Sequence, residues 1–266
     1  MMPTRSAPAD TVARRVTRCA SVITAVALVA STLAACSGGG AARANAHGSA
    51  LAPNRMTAFD NAVRVVTRAP GCRGDGGTGL TDGTFVLTAA SVVAGATSVS
   101  VVNRQGRTVV GRVVAFDGDQ DVAWLYAPGL PKRPTAPAQP GDHVAPAYVF
   151  AFGADGQLVV YRAATLVRTT TTSPNVYGAG RFARNVYVLT LDHAAVGNLS
   201  GAPVLDQDGR LLGITVTSVL GSRSAVVLAG DAVAASSATR TLAGVAATPA
   251  QAGTVVTHCG SSVATS

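Results

Sequence analysis

Ser200 stands in the run Gly197-Asn198-Leu199-Ser200-Gly201-Ala202-Pro203, which has the residues of a tight turn. A serine hydroxyl held on such a turn can attack a carbonyl, but not unaided. It needs a base to take its proton, a carboxylate to orient that base, and backbone N–H groups to hold the oxyanion. The chain has four histidines, His47, His143, His193 and His258. His47 falls in a Gly/Ala/Ser/Asn-rich stretch, His143 begins an apolar run, and His258 sits beside Cys259. His193 comes seven residues before Ser200.

Two upstream segments complete a pattern. Thr84-Phe85-Val86-Leu87-Thr88-Ala89-Ala90-Ser91-Val92-Val93 is an apolar strand that ends in Thr-Ala-Ala-Ser-Val-Val. Asp121-Val122-Ala123-Trp124-Leu125 is an acid heading a second apolar run. With Ser200-Gly201-Ala202-Pro203 and the following strand Arg210–Val216, these segments resemble the trypsin-like (chymotrypsin-fold) serine proteases. In look they are nearest to bacterial high-temperature-requirement proteases and the mycobacterial acid-resistance periplasmic serine protease. The resemblance covers about Asn61 to Cys259. It implies an all-β fold of two six-stranded-type antiparallel β-barrels with a short C-terminal helix, and no cofactor or metal. It puts Ser200 at the nucleophile position and Asp121 at the orienting carboxylate position. Ser91 occupies the place of the general-base histidine.

The turn departs from the family pattern as well. The oxyanion hole would be formed by the N–H groups of Asn198 and Ser200, and Asn198 stands where the family has glycine. Glycine is favoured there because a Cβ obstructs turning the N–H into the site. Leu199 replaces the usual Asp or Asn. A one-residue shift would instead align Gly197-Asn198 with the family's Gly-Asp and Leu199 with the nucleophile. Keeping Gly201, Pro203 and the strand in register favours Ser200. The base must come from the first barrel, and none of the four histidines is placed there. His193 falls where the family builds the floor of its S1 pocket, and a hydrogen-bonded pocket or loop residue is the plain expectation.

The N-terminus carries Arg5, Arg14, Arg15 and Arg18, then the apolar run Ala20–Ala35, then Cys36-Ser37-Gly38-Gly39-Gly40. This is the order of a signal peptide. Leu33-Ala34-Ala35-Cys36 matches a bacterial lipobox, so residues 1–35 are expected to be removed and Cys36 lipidated. A plain transmembrane anchor or an ordinary secretory signal is the alternative, and the apolar run is short for a span. Cys19 would leave with the signal, and Cys72 and Cys259 remain. A pair of cysteines in an oxidising compartment suits a disulfide, and the resembling mycobacterial protease carries a similarly placed bridge. Two free buried thiols are the other reading.

Residues 36–58 are expected to form a flexible tether. Residues 59–262 then form the trypsin-like domain, with barrel 1 over about 59–130 and barrel 2 over about 140–262. Val-rich strands are expected at Asn61–Arg68, Thr84–Ala89, Ser98–Asn103, Thr108–Phe116, Asp121–Tyr126, Val144–Phe152, Gln157–Arg168, Asn185–Leu191, Arg210–Thr217 and Ser224–Ala229, with turn residues between them. Thr169–Arg184 is expected to be a polar loop and Ala229–Ala243 a short helix. Trp124 is expected in the core or an interface.

The formal net charge is +8, and residues 1–35 hold four arginines and one aspartate, leaving about +5. No Lys/Arg cluster with interleaved aromatics occurs, so no nucleic-acid partner is expected. The Gly74–Gly79 run lacks the Lys and Ser/Thr of a phosphate loop.

The sequence therefore points to a lipoprotein at the outer face of the bacterial cell membrane, held by its lipid anchor alone. Its domain would be a catalytically inactive pseudoprotease that binds a peptide or protein in the former active-site cleft. An active serine endopeptidase with a non-standard base is the alternative, and a purely structural envelope protein a third reading.

Overall fold

Short β-branched runs separated by turns dictate this architecture, because each run can bury one face and must find a partner strand for its backbone. The computed structural model describes residues 59–69, 76–131, 146–178, 180–246 and 253–254. Cys36, Cys72, Cys259, His47, His143 and His258 lie outside the described residues, and with them the lipidation and disulfide expectations.

The first barrel comprises β1 (Ala62–Arg68), β2 (Gly77–Thr81), β3 (Phe85–Thr88), β4 (Ser98–Asn103), β5 (Thr108–Asp117) and β6 (Val122–Tyr126). It closes in the order β1-β2-β3-β6-β5-β4, with β1 pairing antiparallel to both β2 and β4. A four-residue helix, α1 (Ala90–Val93), follows β3. The second barrel comprises β7 (Ala147–Phe152), β8 (Leu158–Pro174), β9 (Arg181–Leu191), β10 (Pro203–Leu205), β11 (Leu211–Ser218) and β12 (Ser224–Ala229), closed as β10-β11-β12-β9-β8-β7. Two helices end the described chain, α2 (Gly230–Ala235) and α3 (Ser237–Val245).

The double barrel with a short C-terminal helix is the architecture expected from the sequence. One local expectation fails. Thr169–Arg184 is a β-hairpin rather than a polar loop, because β8 and β9 stay in register from Leu166↔Leu189 to Pro174↔Arg181. Its Thr run carries no apolar alternation, yet β-branched threonine suits a strand, and cross-strand pairing sets the conformation.

Each barrel has its own apolar core. Val63, Val86, Val101, Val113 and Leu125 fill the first, and Val149, Leu189, Leu199 and Val227 the second. Between them runs a third cluster, with Leu87, Ala115 and Val122 meeting Ile214, Leu228 and Val233. Trp124 packs against this cluster and its Nε1 donates to Thr239 Oγ1 at 3.1 Å, making it an interface residue. Ser236 caps α3 by accepting from Thr239 N. Asp117 Oδ2 accepts from both Ser237 N and Ser237 Oγ at 2.7 Å, which fixes the helix to the end of β5.

Candidate active site

Two corners of the molecule converge where the barrels meet. The first begins at Ala89, in extended conformation, after which the chain turns into α1 with Ser91 in its first turn. Opposite stands Asp121, almost wholly buried, with a φ of 61°. It is the one non-glycine residue in the left-handed region among the described residues. Such strain persists only where the surroundings hold it, and here the holders are visible. Asp117 Oδ1 accepts from Asp119 N at 3.1 Å and Gln120 N at 2.9 Å, forming the turn before Asp121. The buried Arg184, on β9, donates from Nε to Asp119 O at 2.7 Å and from Nη2 to Pro174 O at 3.0 Å.

Ser91 meets Asp121 through two bonds. Its N–H donates to Oδ1 at 2.7 Å, and its hydroxyl donates to Oδ2 at 3.2 Å. Burial pushes the Asp121 carboxyl above its ordinary range, and these bonds and the Arg184 charge offset only part of that. The carboxylate that would orient an imidazole is thus engaged by a serine. A hydroxyl of ordinary acidity cannot serve as a base near neutral pH.

The second corner is the Ser200 turn. Leu199 is fully buried in the second barrel's core, whereas Ser200 is partly exposed. Ala202 N donates to Leu199 O at 2.9 Å, closing the turn. Gly201 has a φ of 77°, and a Cβ there would lie 2.1 Å from Thr78 O and 2.3 Å from Thr88 Oγ1. Only glycine fits this contact. Ser200 O accepts from Thr78 N at 3.0 Å, and Gly201 N donates to Thr215 O at 2.7 Å. Thr78 Oγ1 accepts from Phe152 N at 3.0 Å, a further bond between the barrels. The turn is therefore stitched to β2 and β11, with Gly201 against the backbone of Ala89, two residues from Ser91.

Asn198 changes what this turn offers. Its Oδ1 accepts from Ser200 N at 3.0 Å, and its Nδ2 donates to Gly76 O at 3.1 Å. The N–H of Ser200, an oxyanion donor in the trypsin-like arrangement, points at a side-chain carbonyl of the same loop.

His193 does not approach either corner as a base. Its ring stacks on Tyr161 with centroids 4.5 Å apart, and its Nδ1 lies 2.7 Å from Asp192 Oδ1. Tyr161 is buried, and its hydroxyl accepts from Val196 N at 3.0 Å. This is the hydrogen-bonded loop residue expected from the sequence.

The structure thus brings Ser91 and Asp121 into contact and sets Ser200 and Asn198 on the adjoining turn. Sequence reasoning did not find Arg184, Tyr161 or the bridging threonines Thr78, Thr88 and Thr215. A single arginine in a Thr-rich hairpin carries no local signal, since its partners are backbone carbonyls distant in sequence.

A two-barrel fold with this serine turn and this aspartate corner defines a trypsin-like peptidase domain. The chain belongs to that family: the profile of the trypsin-like peptidase domain matches residues 75–214. Among solved structures, it is similar to the Rv3671c protease from M. tuberculosis. The active form is 26% identical with a TM-score of 0.61, and the match covers 79% of this chain and 89% of that one. The inactive form is 27% identical with a TM-score of 0.59, over 70% of this chain and 92% of that one. The HtrA-type protease AlgW, solved with a decapeptide, shares the fold at 17% identity and a TM-score of 0.51, over 66% of this chain and 62% of that one. A search of curated protein sequences finds no match.

Proposed function

We propose that this trypsin-like domain is a pseudoprotease, tethered to the outer face of the cell membrane through Cys36, that holds peptide or protein in its former cleft. The observation that carries the reading is the pair of hydrogen bonds that Ser91 donates to Asp121. Among the described residues no base stands beside Ser200, so it stays a hydroxyl at neutral pH. Loss of one triad member leaves about 10³–10⁴-fold catalysis over water, and that remainder rests on the oxyanion hole. The Asn198 amide engages one of the hole's two N–H groups and undermines that remainder. Two closed barrels meeting at the Ser91 and Ser200 corners support the binding reading, as does the likeness to an HtrA-type protease solved with a decapeptide. Lipid attachment rests on Leu33-Ala34-Ala35-Cys36, and a Cys72–Cys259 disulfide rests on an oxidising compartment and the family resemblance.

A fluorophosphonate probe tests the chemistry. The exported wild-type protein should label no faster than Ser200→Ala. Stoichiometric labelling at Ser200 would overturn the reading and favour an endopeptidase with another base. The anchor is tested by Cys36→Ala, which should leave an unprocessed precursor or release soluble protein; retention of mature-size protein in the membrane fraction would refute lipidation.

A further inference from the structure

Closed barrels leave no strand edges, and the β8–β9 hairpin is where this molecule escapes that rule. Among the described residues, β7 pairs with β8 from Leu158 to Ala163 and no further. The β8–β9 register shifts at a bulge between Ala163 and Thr165. Beyond it β8 continues to Pro174 with β9 on one side only. Among the described residues β8 packs extensively against β7 and β9 alone. Near the tip Arg181 Nη2 donates to Thr172 O at 2.9 Å, which closes that end. Among the described residues, Val167 to Thr171 pair with β9 alone and have no strand on their other side.

Proteins normally blunt such an edge with a free lysine, a proline, an inward charge or a cover. Here the run Thr169–Ser173 is uncharged and β-branched. The charge that precedes it on β8, Arg168, is turned back onto Asp231 and the ring of Tyr187. The outer face is apolar as well. Val167 is 53% exposed and its cross-strand partner Val188 37% exposed, and Val188 is in turn paired with Val226.

We propose that this edge pairs antiparallel with the same edge of a second copy of the chain, about a two-fold axis through Thr169. The choice of occupant follows from symmetry and charge. An isologous contact needs a self-complementary patch. A two-fold axis perpendicular to the sheet keeps outer faces together, so it must pass through a residue. At Arg168 it would oppose two guanidinium groups. At Thr169 it opposes Thr169 to its mate, Arg168 to Thr170, and Val167 to Thr171, with no like charges facing. Thr–Thr and Val–Thr are favourable cross-strand pairs, and the exposed Val167 becomes covered at the seam.

Cross-linking in the full chain tests this. Thr169→Cys places a thiol on the axis beside its own mate. Mild oxidation should give a disulfide-linked dimer on a non-reducing gel. The wild-type chain and Val110→Cys, on an 80% exposed site of the first barrel, should not. Adding Val167→Lys and Thr171→Lys sets lysine against lysine at two places and should cut the cross-linked yield about tenfold. Replacing the second change with Thr171→Glu should restore it. Failure of Thr169→Cys to cross-link, or a yield indifferent to the paired lysines, overturns the proposal. Circular dichroism of each variant confirms that the hairpin is folded.

Discussion

The two corners of the site have diverged differently. At the Ser200 turn the backbone is preserved and the side chains around the serine are changed. At the Ser91 corner one side chain is changed, and even a strained backbone is kept. Gly201 keeps its left-handed conformation because Thr78 O and Thr88 Oγ1 leave no room for a Cβ. Asp121 keeps its φ of 61° although the imidazole it would orient is absent. The contacts that join the barrels run through the Gly201 backbone, while Ser91 stands where the family pattern has its base. The turn that carries Ser200 also joins the barrels, and it does so through its backbone rather than the serine side chain.

The largest effect should come from the backbone contact. Gly201→Ala combines a clash at 2.1 Å with a positive φ. It should cost about 4 kcal/mol or prevent folding, read from denaturant unfolding of the purified protein. A loss below about 1 kcal/mol would mean that the turn is soft and the barrels do not depend on it. That would remove the difference between the corners.

Next in size is the chemistry itself. Ser91→His should place an imidazole against Asp121, and Asn198→Gly should free the Ser200 N–H. One oxyanion donor is worth roughly 10²–10³ in rate, so the double variant should label with a fluorophosphonate faster than Ser91→His alone by about that factor. Leu199 is left unchanged because it is fully buried, and an aspartate there would be a buried charge. If the double variant folds and still matches Ser200→Ala, then Ser91, Asp121 and Ser200 do not form one cleft.

Most of this architecture was legible in the chain, for a physical reason. Barrel strands such as Ser98–Asn103 and Ser224–Ala229 are short apolar runs bounded by Gly, Asp and Asn, and they appear at the residues expected. The motif residues Ser91, Asp121 and Ser200 could be located because each ends or begins such a run. What escaped was stabilised from a distance. Thr169–Arg184 looks like a loop because its strand character comes from the partner strand. Arg184 cannot be singled out because it acts on carbonyls of Asp119 and Pro174. The Asn198 amide turned onto Ser200 N depends on a rotamer, which composition does not encode.

The smallest effect concerns Asp121, and it has a definite sign. Burial lifts this carboxyl above its ordinary value of 3.8 in the folded protein. The folded state then holds the proton more tightly than the unfolded chain, so stability falls as pH rises above 3.8. Asp117, four residues earlier, behaves oppositely. Burial would lift it, but hydrogen bonds from Gln120, Ser237 and Asp119 outweigh that and hold it below 3.8. Its contribution is present above that value and is lost as pH falls through the lowered one. Asp121→Asn removes the buried charge while keeping both bonds: Oδ1 accepts the Ser91 N–H and Nδ2 donates to the Ser91 hydroxyl. Asparagine also tolerates a positive φ. The attraction to Arg184 is lost, but desolvation is the larger influence on this carboxyl. Asp121→Asn should therefore be more stable than wild type at neutral pH, by about 1 kcal/mol. The advantage should shrink as pH is lowered through 3.8, below which the wild-type carboxyl is protonated in both states. A variant less stable than wild type at neutral pH would mean that Arg184 and Ser91 together outweigh burial. The corner, strained φ included, would then be held by the Asp121 charge under the influence of Arg184 rather than by the turn of Asp117.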